Sequence, residues 1–144
     1  TIDSKLRWFR SGIAVKKGEK YSFAPDPNGR WKDKTIECTA AGWGDPGERD
    51  THFQKWFKAA ATSWAGSHMK RVKAANWFEM TVTVGMDDHL AVPIGSGQHA
   101  SNPWVAPESG PLYFFANDAA LRLFGKDFYE NNDGSISVTI TRQG

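Results

Sequence analysis

Oxygen-bearing side chains are concentrated at two places in the second half of the chain. Asn117-Asp118 stands at the end of an apolar run, and Asn131-Asn132-Asp133-Gly134 opens a run of alternating polarity. Carboxylates, side-chain amides and main-chain carbonyls on converging loops suit calcium, a hard cation that takes about six to eight oxygen ligands. Asn and Asp beside Gly are also ordinary turn formers, so composition leaves both readings open. The spacing matches no EF-hand loop, and any such site would be assembled from separate loops.

Other chemistries find less support. His52, His68, His89 and His99 lack the helical i, i+4 pairing or cysteine partners of zinc sites. The chain has no Gly-x-Ser-x-Gly elbow, phosphate-binding loop or dinucleotide fingerprint. Ser96 and His99 lie in Gly95-Ser96-Gly97-Gln98-His99, which reads as a flexible loop between strands rather than a nucleophile and its base. Asp87-Asp88 reads as a solvated turn, not an acid and base pair. The expectation is a protein that is not an enzyme.

These residues must be positioned by a scaffold, and length and composition bound its kind. The 144 residues suit one domain spanning 1–144, with seven Trp and nine Phe to fill a core. Eighteen basic against sixteen acidic residues leave a formal charge of +2, too near balance for a dedicated nucleic-acid binder. A single cysteine, Cys38, rules out an intramolecular disulfide and reads as a small buried residue of a strand. No apolar run is long enough to span a bilayer, and Thr1 opens a polar segment without the apolar region of a signal peptide. That predicts a soluble chain without membrane insertion, either cytoplasmic or exported without a classical signal peptide.

Short runs rich in β-branched and aromatic residues, punctuated by Gly, Pro, Asn and Asp, predict an all-β antiparallel sandwich. Strands are expected near 11–16, 20–24, 35–40, 77–85, 90–94, 102–106, 111–116 and 134–142. The last is the clearest, because Ser135, Ser137, Thr139 and Thr141 alternate with Ile136, Val138 and Ile140. Residues 86–89 read as a hairpin connection and 26–29 as a turn-rich linker. One segment breaks the pattern. Phe53, Trp56, Phe57, Ala60 and Trp64 share a helical face, which predicts one short inserted helix packed on the sandwich. The basic run 68–73 after it reads as a solvated loop.

Four segments, in order, carry a family resemblance: Ala40-Ala41-Gly42-Trp43, Pro93-Ile94, Trp104-Val105-Ala106-Pro107, and Asn117-Asp118 leading to Asn131-Asn132-x-Gly134. Over about residues 11–142 the chain resembles the small calcium-dependent galactophilic lectins of the Pseudomonas type, the LecA-like (PA-IL) lectins. The resemblance implies a galactose-binding-domain-like jelly roll and a calcium ion held by the side chains of Asp118, Asn131 and Asn132. It implies two main-chain carbonyls as further ligands, one near Asp45 or Pro46 and one near Phe128. Asp118 and Asn131 would also meet the sugar. His52 and Gln54 match the family's sugar-binding His and Gln, one residue closer together than the family has them. The loop 119–130 is longer than its counterpart, adding Phe124, Phe128 and Tyr129, and could either close over a ligand or block it. The segment 53–75 and the turn 26–34 are also expanded.

The function this implies is calcium-dependent binding of galactosides or related glycans, with Ca2+ as cofactor and with copies gathered by homo-oligomerisation or attachment to a larger protein. The alternative is a non-catalytic interaction or accessory domain of a larger bacterial protein that keeps the fold without sugar binding, which the aromatic insertion at 53–64 would serve. The helix expectation is directly testable. With Trp56 inward on its stripe, Trp56→Ala should cost about 3 to 5 kcal/mol in a denaturant titration. A variant as stable as the parent would place that stripe on the surface.

Overall fold

The computed structural model describes residues 1–43, 70–119 and 127–144. The helix expected over 53–64, together with Asp45, His52 and Gln54, lies outside the described residues.

Among the described residues the chain forms a sandwich of antiparallel strands arranged in three sheets. Ile2–Asp3 (β1), Asn132–Ile136 (β10), Arg30–Asp33 (β4) and Ile36–Cys38 (β5) lie side by side in that order. Lys20–Pro25 (β3) lies between Val138–Gln143 (β11) and Trp104–Val105 (β8). In the third sheet Gly110–Ala116 (β9) and Met80–Val84 (β6) are central, with Phe9–Val15 (β2) and Val92–Pro93 (β7) at the edges. A single helical turn spans Gln98–Ser101. No helix among the described residues is long and apolar enough to cross a membrane.

Side-chain alternation explains why these segments pair as they do. In β3, Tyr21 and Phe23 turn inward, and in β9 Leu112 and Phe114 do the same. All three sheets contribute to one core, with Trp31 edge-on to Phe78 at 5.5 Å and Phe23 edge-on to Phe114 at 6.1 Å. Each fully buried Phe contributes about 1.5 to 3 kcal/mol. The five residues of β6 are all buried because a second layer covers its outer side, where Val72, Ala75 and Trp8 pack on Phe115. Two threonines occupy that outer side, and each finds an acceptor. Thr81 Oγ1 donates to the Glu79 carbonyl at 3.1 Å and Thr83 Oγ1 to the Asp87 carbonyl at 2.7 Å.

Several expectations need correction. The strand expected over 134–142 is two strands that part at Ser137 and belong to different sheets, β10 pairing with β1 and β4, and β11 with β3. Alternation passes through the break undisturbed, so periodicity could not reveal it. The turn at 26–29 is present, closed by Gly29 N–H donating to the Asp26 carbonyl at 3.1 Å, but β4 follows at once. Residues 86–89 include the start of a 3-10 turn, Asp88–Leu90, and Asp88 is more than a solvated turn residue, since its carboxylate pairs with Arg71 at 2.7 Å. Arg71 itself was expected in a solvated basic loop; its side chain is fully buried. Ser96 and His99 are held separately, Ser96 Oγ donating to Glu79 Oε1 at 2.7 Å and His99 Nδ1 lying 3.0 Å from the Asn102 carbonyl. Cys38 is buried as expected, which pushes its thiol up to about 12.

Two glycines mark where backbone crosses backbone. Gly42 has φ +71°, and a Cβ there would fall on the Trp77 carbonyl and 2.6 Å from Glu79 N. A Cβ on Gly95 would fall on the Ala40 carbonyl. Residues 40–43, 77–79 and 94–96 therefore share one tight crossing, tied by the Glu79 carboxylate, which accepts from Asn76 N, Ser96 N and Gln98 Nε2. Gly85 also has a positive φ, +68°, but nothing within 4 Å. Gly85→Ala should cost about 1 kcal/mol from backbone strain alone, whereas Gly42→Ala should cost about 3 kcal/mol because the neighbouring strand must also move. Urea melts of the two variants check the difference, and equal losses would mean the crossing relaxes freely.

Candidate cation and ligand site

The site begins where β9 ends. Asn117 is committed to the scaffold: its Oδ1 accepts from Val72 N at 2.9 Å, and its Nδ2 donates to the carbonyls of Val72 at 3.0 Å and Asn76 at 2.9 Å. Asp118 is left to face the first sheet, only 4% exposed. Its Oδ1 accepts from Ala119 N at 2.7 Å, and its Oδ2 from Asn132 Nδ2 at 3.1 Å.

A short 3-10 turn, Phe128–Asn131, delivers the second half of the site. Asp127 caps it, its carboxylate accepting from Tyr129 N at 3.2 Å. Tyr129 anchors the turn beneath β9 by donating its hydroxyl hydrogen to the Ala116 carbonyl at 2.7 Å, while Arg71 Nη1 donates to that hydroxyl at 2.8 Å. The Arg71 guanidinium lies over the rings of Phe115 and Trp8, 3.6 and 4.1 Å from their centroids. The turn thus ends against Asp118.

Asn132 is 1% exposed and donates Nδ2 to both the Ser4 carbonyl and Asp118, each at 3.1 Å. Two acceptors on Nδ2 fix which way the amide points. Its Oδ1, buried on the other side, has no hydrogen-bond partner among the described residues. A buried amide oxygen left unpaired costs about 1 to 3 kcal/mol, so it identifies a place where a ligand atom or ion would be stabilising. Asn131 is exposed, and its carbonyl accepts from Lys34 N at 3.3 Å. Phe128 is half-buried and packs with Trp43 against Trp77 and Ala119. Trp43 and Trp77 stack with centroids 5.8 Å apart and planes 14° from parallel. Asp133 is exposed on the other face of the strand, beside Lys5 at 3.3 Å.

Of the residues singled out from sequence, the structure brings Asp118 and Asn132 into contact, with Asn131 and Phe128 on the adjoining turn. Asp45, His52 and Gln54 are outside the described residues. Sequence reasoning missed Asp33, which is 8% exposed and sits opposite Asn132 in the β4–β10 ladder. The alternation of Trp31 and Asp33 with Arg30 and Lys32 was the available signal, an acid in phase with a buried tryptophan. Burial, and then the charge of Asp118, push the Asp33 carboxyl up to about 7, against a smaller opposing effect of Lys34. Burial also raises Asp118, offset by the bonds from Ala119 N and Asn132 and reinforced by the charge of Asp127.

Among the described residues no three His, Cys, Asp or Glu side chains converge. Calcium does not require that, since amide and carbonyl oxygens serve it as well as carboxylates. The Asp118 carboxylate and the orphaned Asn132 amide oxygen are hard oxygen donors, which would suit a hard cation better than a soft one.

The architecture that carries these residues is an antiparallel β-sandwich. It is similar to the N-terminal domain of EclA, described as a PllA-like lectin, with a TM-score of 0.56 and 19% identity over 98% of this chain and 92% of that one. At that identity the likeness is one of fold. No protein-family model matches the sequence, and no curated protein matches it.

The raised carboxyls give the metal-free protein a pH dependence of definite sign. Between the ordinary value of 3.8 and about 7, Asp33 stays protonated when folded but ionises when unfolded. The native state then binds more protons, so stability should fall as pH rises through that window, with Asp118 acting in the same direction. Denaturant titrations in chelator at about pH 4.5 and 7.5 should differ by a few kcal/mol, on the order expected for a carboxyl so displaced, and Asp33→Asn should remove much of the difference. A parent more stable at the higher pH would contradict the assignment.

Proposed function

We propose that the chain is a calcium-dependent carbohydrate-binding module, lectin-like and directed at galactosides or related glycans. The observation that carries this reading is the unpaired Oδ1 of Asn132, a residue whose Nδ2 is bonded to the buried carboxylate of Asp118. Asp118, Asn131 and Asn132 would hold the ion by side chain, with main-chain carbonyls near Phe128 and Asp45. A bound calcium would supply a centre on which vicinal sugar hydroxyls replace water. The residues do the rest. Asp118 accepts and Asn131 donates hydrogen bonds to those hydroxyls, and the half-buried rings of Trp43 and Phe128 offer an apolar wall for the sugar's carbon face. The fold shared with a domain described as a lectin supports the same reading. A shallow polar site buries little area, so each copy binds weakly and useful avidity comes from several copies or from attachment to another domain.

Asp118 would supply the only negative side chain among the three family-matched ligands, so its charge is harder to replace than either Asn. Asp118→Asn keeps the shape and one oxygen and should weaken calcium binding by about tenfold or more, taking any glycan-array signal with it. Asp87→Asn is the control, because Asn caps the 3-10 turn at 88–90 as Asp87 does through His89 N. Calorimetry with calcium, and a glycan array run with calcium and with chelator, check both. Calcium binding with a flat array would leave an accessory domain; no calcium binding by the parent would remove the site.

A further inference from the structure

Asp33 belongs to no part of the ligand set described so far, yet the ladder seats it there. In the antiparallel β4–β10 pair Asp33 faces Asn132, Lys32 faces Asp133 and Trp31 faces Gly134. Directly opposed residues share a face with their Cβ atoms about 4.5 to 5.5 Å apart. Lys32 and Asp133 are both exposed, whereas Asp33 and Asn132 are both buried, so the latter two stand side by side on the inner face. Asn132 is also bonded to Asp118 through Nδ2. Its amide therefore lies between two carboxylates, with an unpaired Oδ1. None of the described residues donates a hydrogen bond to the Asp33 side chain, and the nearest cation in sequence, Lys34, is itself exposed.

We propose that Asp33 is a further carboxylate of the cation site, a ligand or an outer charge partner that, with Asp118, gives the site two negative side chains around the orphaned oxygen of Asn132. The inference rests on the calcium reading above and deepens it. Two acids packed in a low-dielectric pocket repel each other and are poorly solvated, a cost that a divalent cation reverses at once. A buried polar residue with no such role would more simply have been apolar, since Trp31 on the same face already shows that the position borders the core. The added charge should raise affinity for a divalent ion and weaken the dependence on any single ligand.

The test is a calorimetric titration of the parent, Asp33→Asn and Glu37→Gln with calcium chloride alone. Glu37 is an acid of the same hairpin paired with Lys32 on the exposed face at 3.5 Å, so its variant removes the same charge outside the site. Asp33→Asn should bind calcium about tenfold or more weakly, Glu37→Gln within about twofold of the parent. Melting in chelator accompanies the titration. Removing an unfavourably buried charge should leave the metal-free melting temperature of Asp33→Asn at or above the parent's at pH 7.5 or so, a result that a purely structural carboxylate would not give. Asp33→Ser stands in where the amide does not fit. Equal calcium affinity in parent and Asp33→Asn would overturn the role of Asp33 while leaving the calcium reading intact. Equal weakening in both variants would reduce Asp33 to a remote charge and also overturn it. A parent that binds no calcium would bring down both.

Discussion

A guanidinium with no exposed side-chain surface must replace its water with something, and the surroundings of Arg71 supply every kind of replacement. Asp88 neutralises it at 2.7 Å, the Arg7 carbonyl accepts from Nη1 at 2.7 Å, and Phe115 and Trp8 present their ring faces. Removing one partner of a buried charge costs about 3 to 5 kcal/mol, far more than a surface pair is worth. Through this one side chain the segment leading into β2, the segment after residue 70, the turn at 88 and the turn at 128 are fastened to the end of β9. The site inherits its geometry from that fastening, because Tyr129 hangs from Arg71 and carries Asn131 and Asn132 after it.

The neighbourhood of Asp118 shows the opposite economy. Where Arg71 is over-satisfied, Asn132 Oδ1 finds no partner among the described residues, and burial and the charge of Asp118 push the Asp33 carboxyl up. A fold optimised only for stability would seat a hydrophobic pair there. A break in the local rules of satisfaction inside a core is a common mark of a functional position. The two environments are adjacent in space, since Arg71 N donates to the Asp118 carbonyl at 3.3 Å, so a rigid anchor supports the unsatisfied Asn132.

The sheet character and the core strands were legible in the sequence because each follows from a repeating local rule, whereas the pairing of Asp118 with Asn132 was implied only by the family resemblance. Tyr21 and Phe23 alternate, and Asn-Asp-Gly clusters end runs that must turn. What escaped depends on contacts distant in sequence. Arg71 looked like one member of a basic run, and only the packing of Trp8 and Phe115 makes it a core residue. Asp33 stands in a four-residue strand beside a turn, too short for periodicity to separate strand from loop. Ser137 is a hinge between sheets that keeps the alternation of its neighbours, so nothing local betrays it.

That sharing of one stretch between two sheets bears on how the molecule assembles. β10 joins the sheet that contains β1 and β4, and β11 joins the one that contains β3, so both sheets depend on the same stretch of chain, 132–143. The bond between Asn132 and the Ser4 carbonyl spans 128 residues of sequence. Loop closure over such distances must precede the contacts that reward it, and chains dominated by non-local pairing fold slowly for that reason. Until β10 pairs with β4, the hairpin of β4 and β5 carries an open edge, and Asp33 meets Asn132 only when that pairing forms. The contact of Asp33 with Asn132 is in that sense a report that β10 has paired with β4.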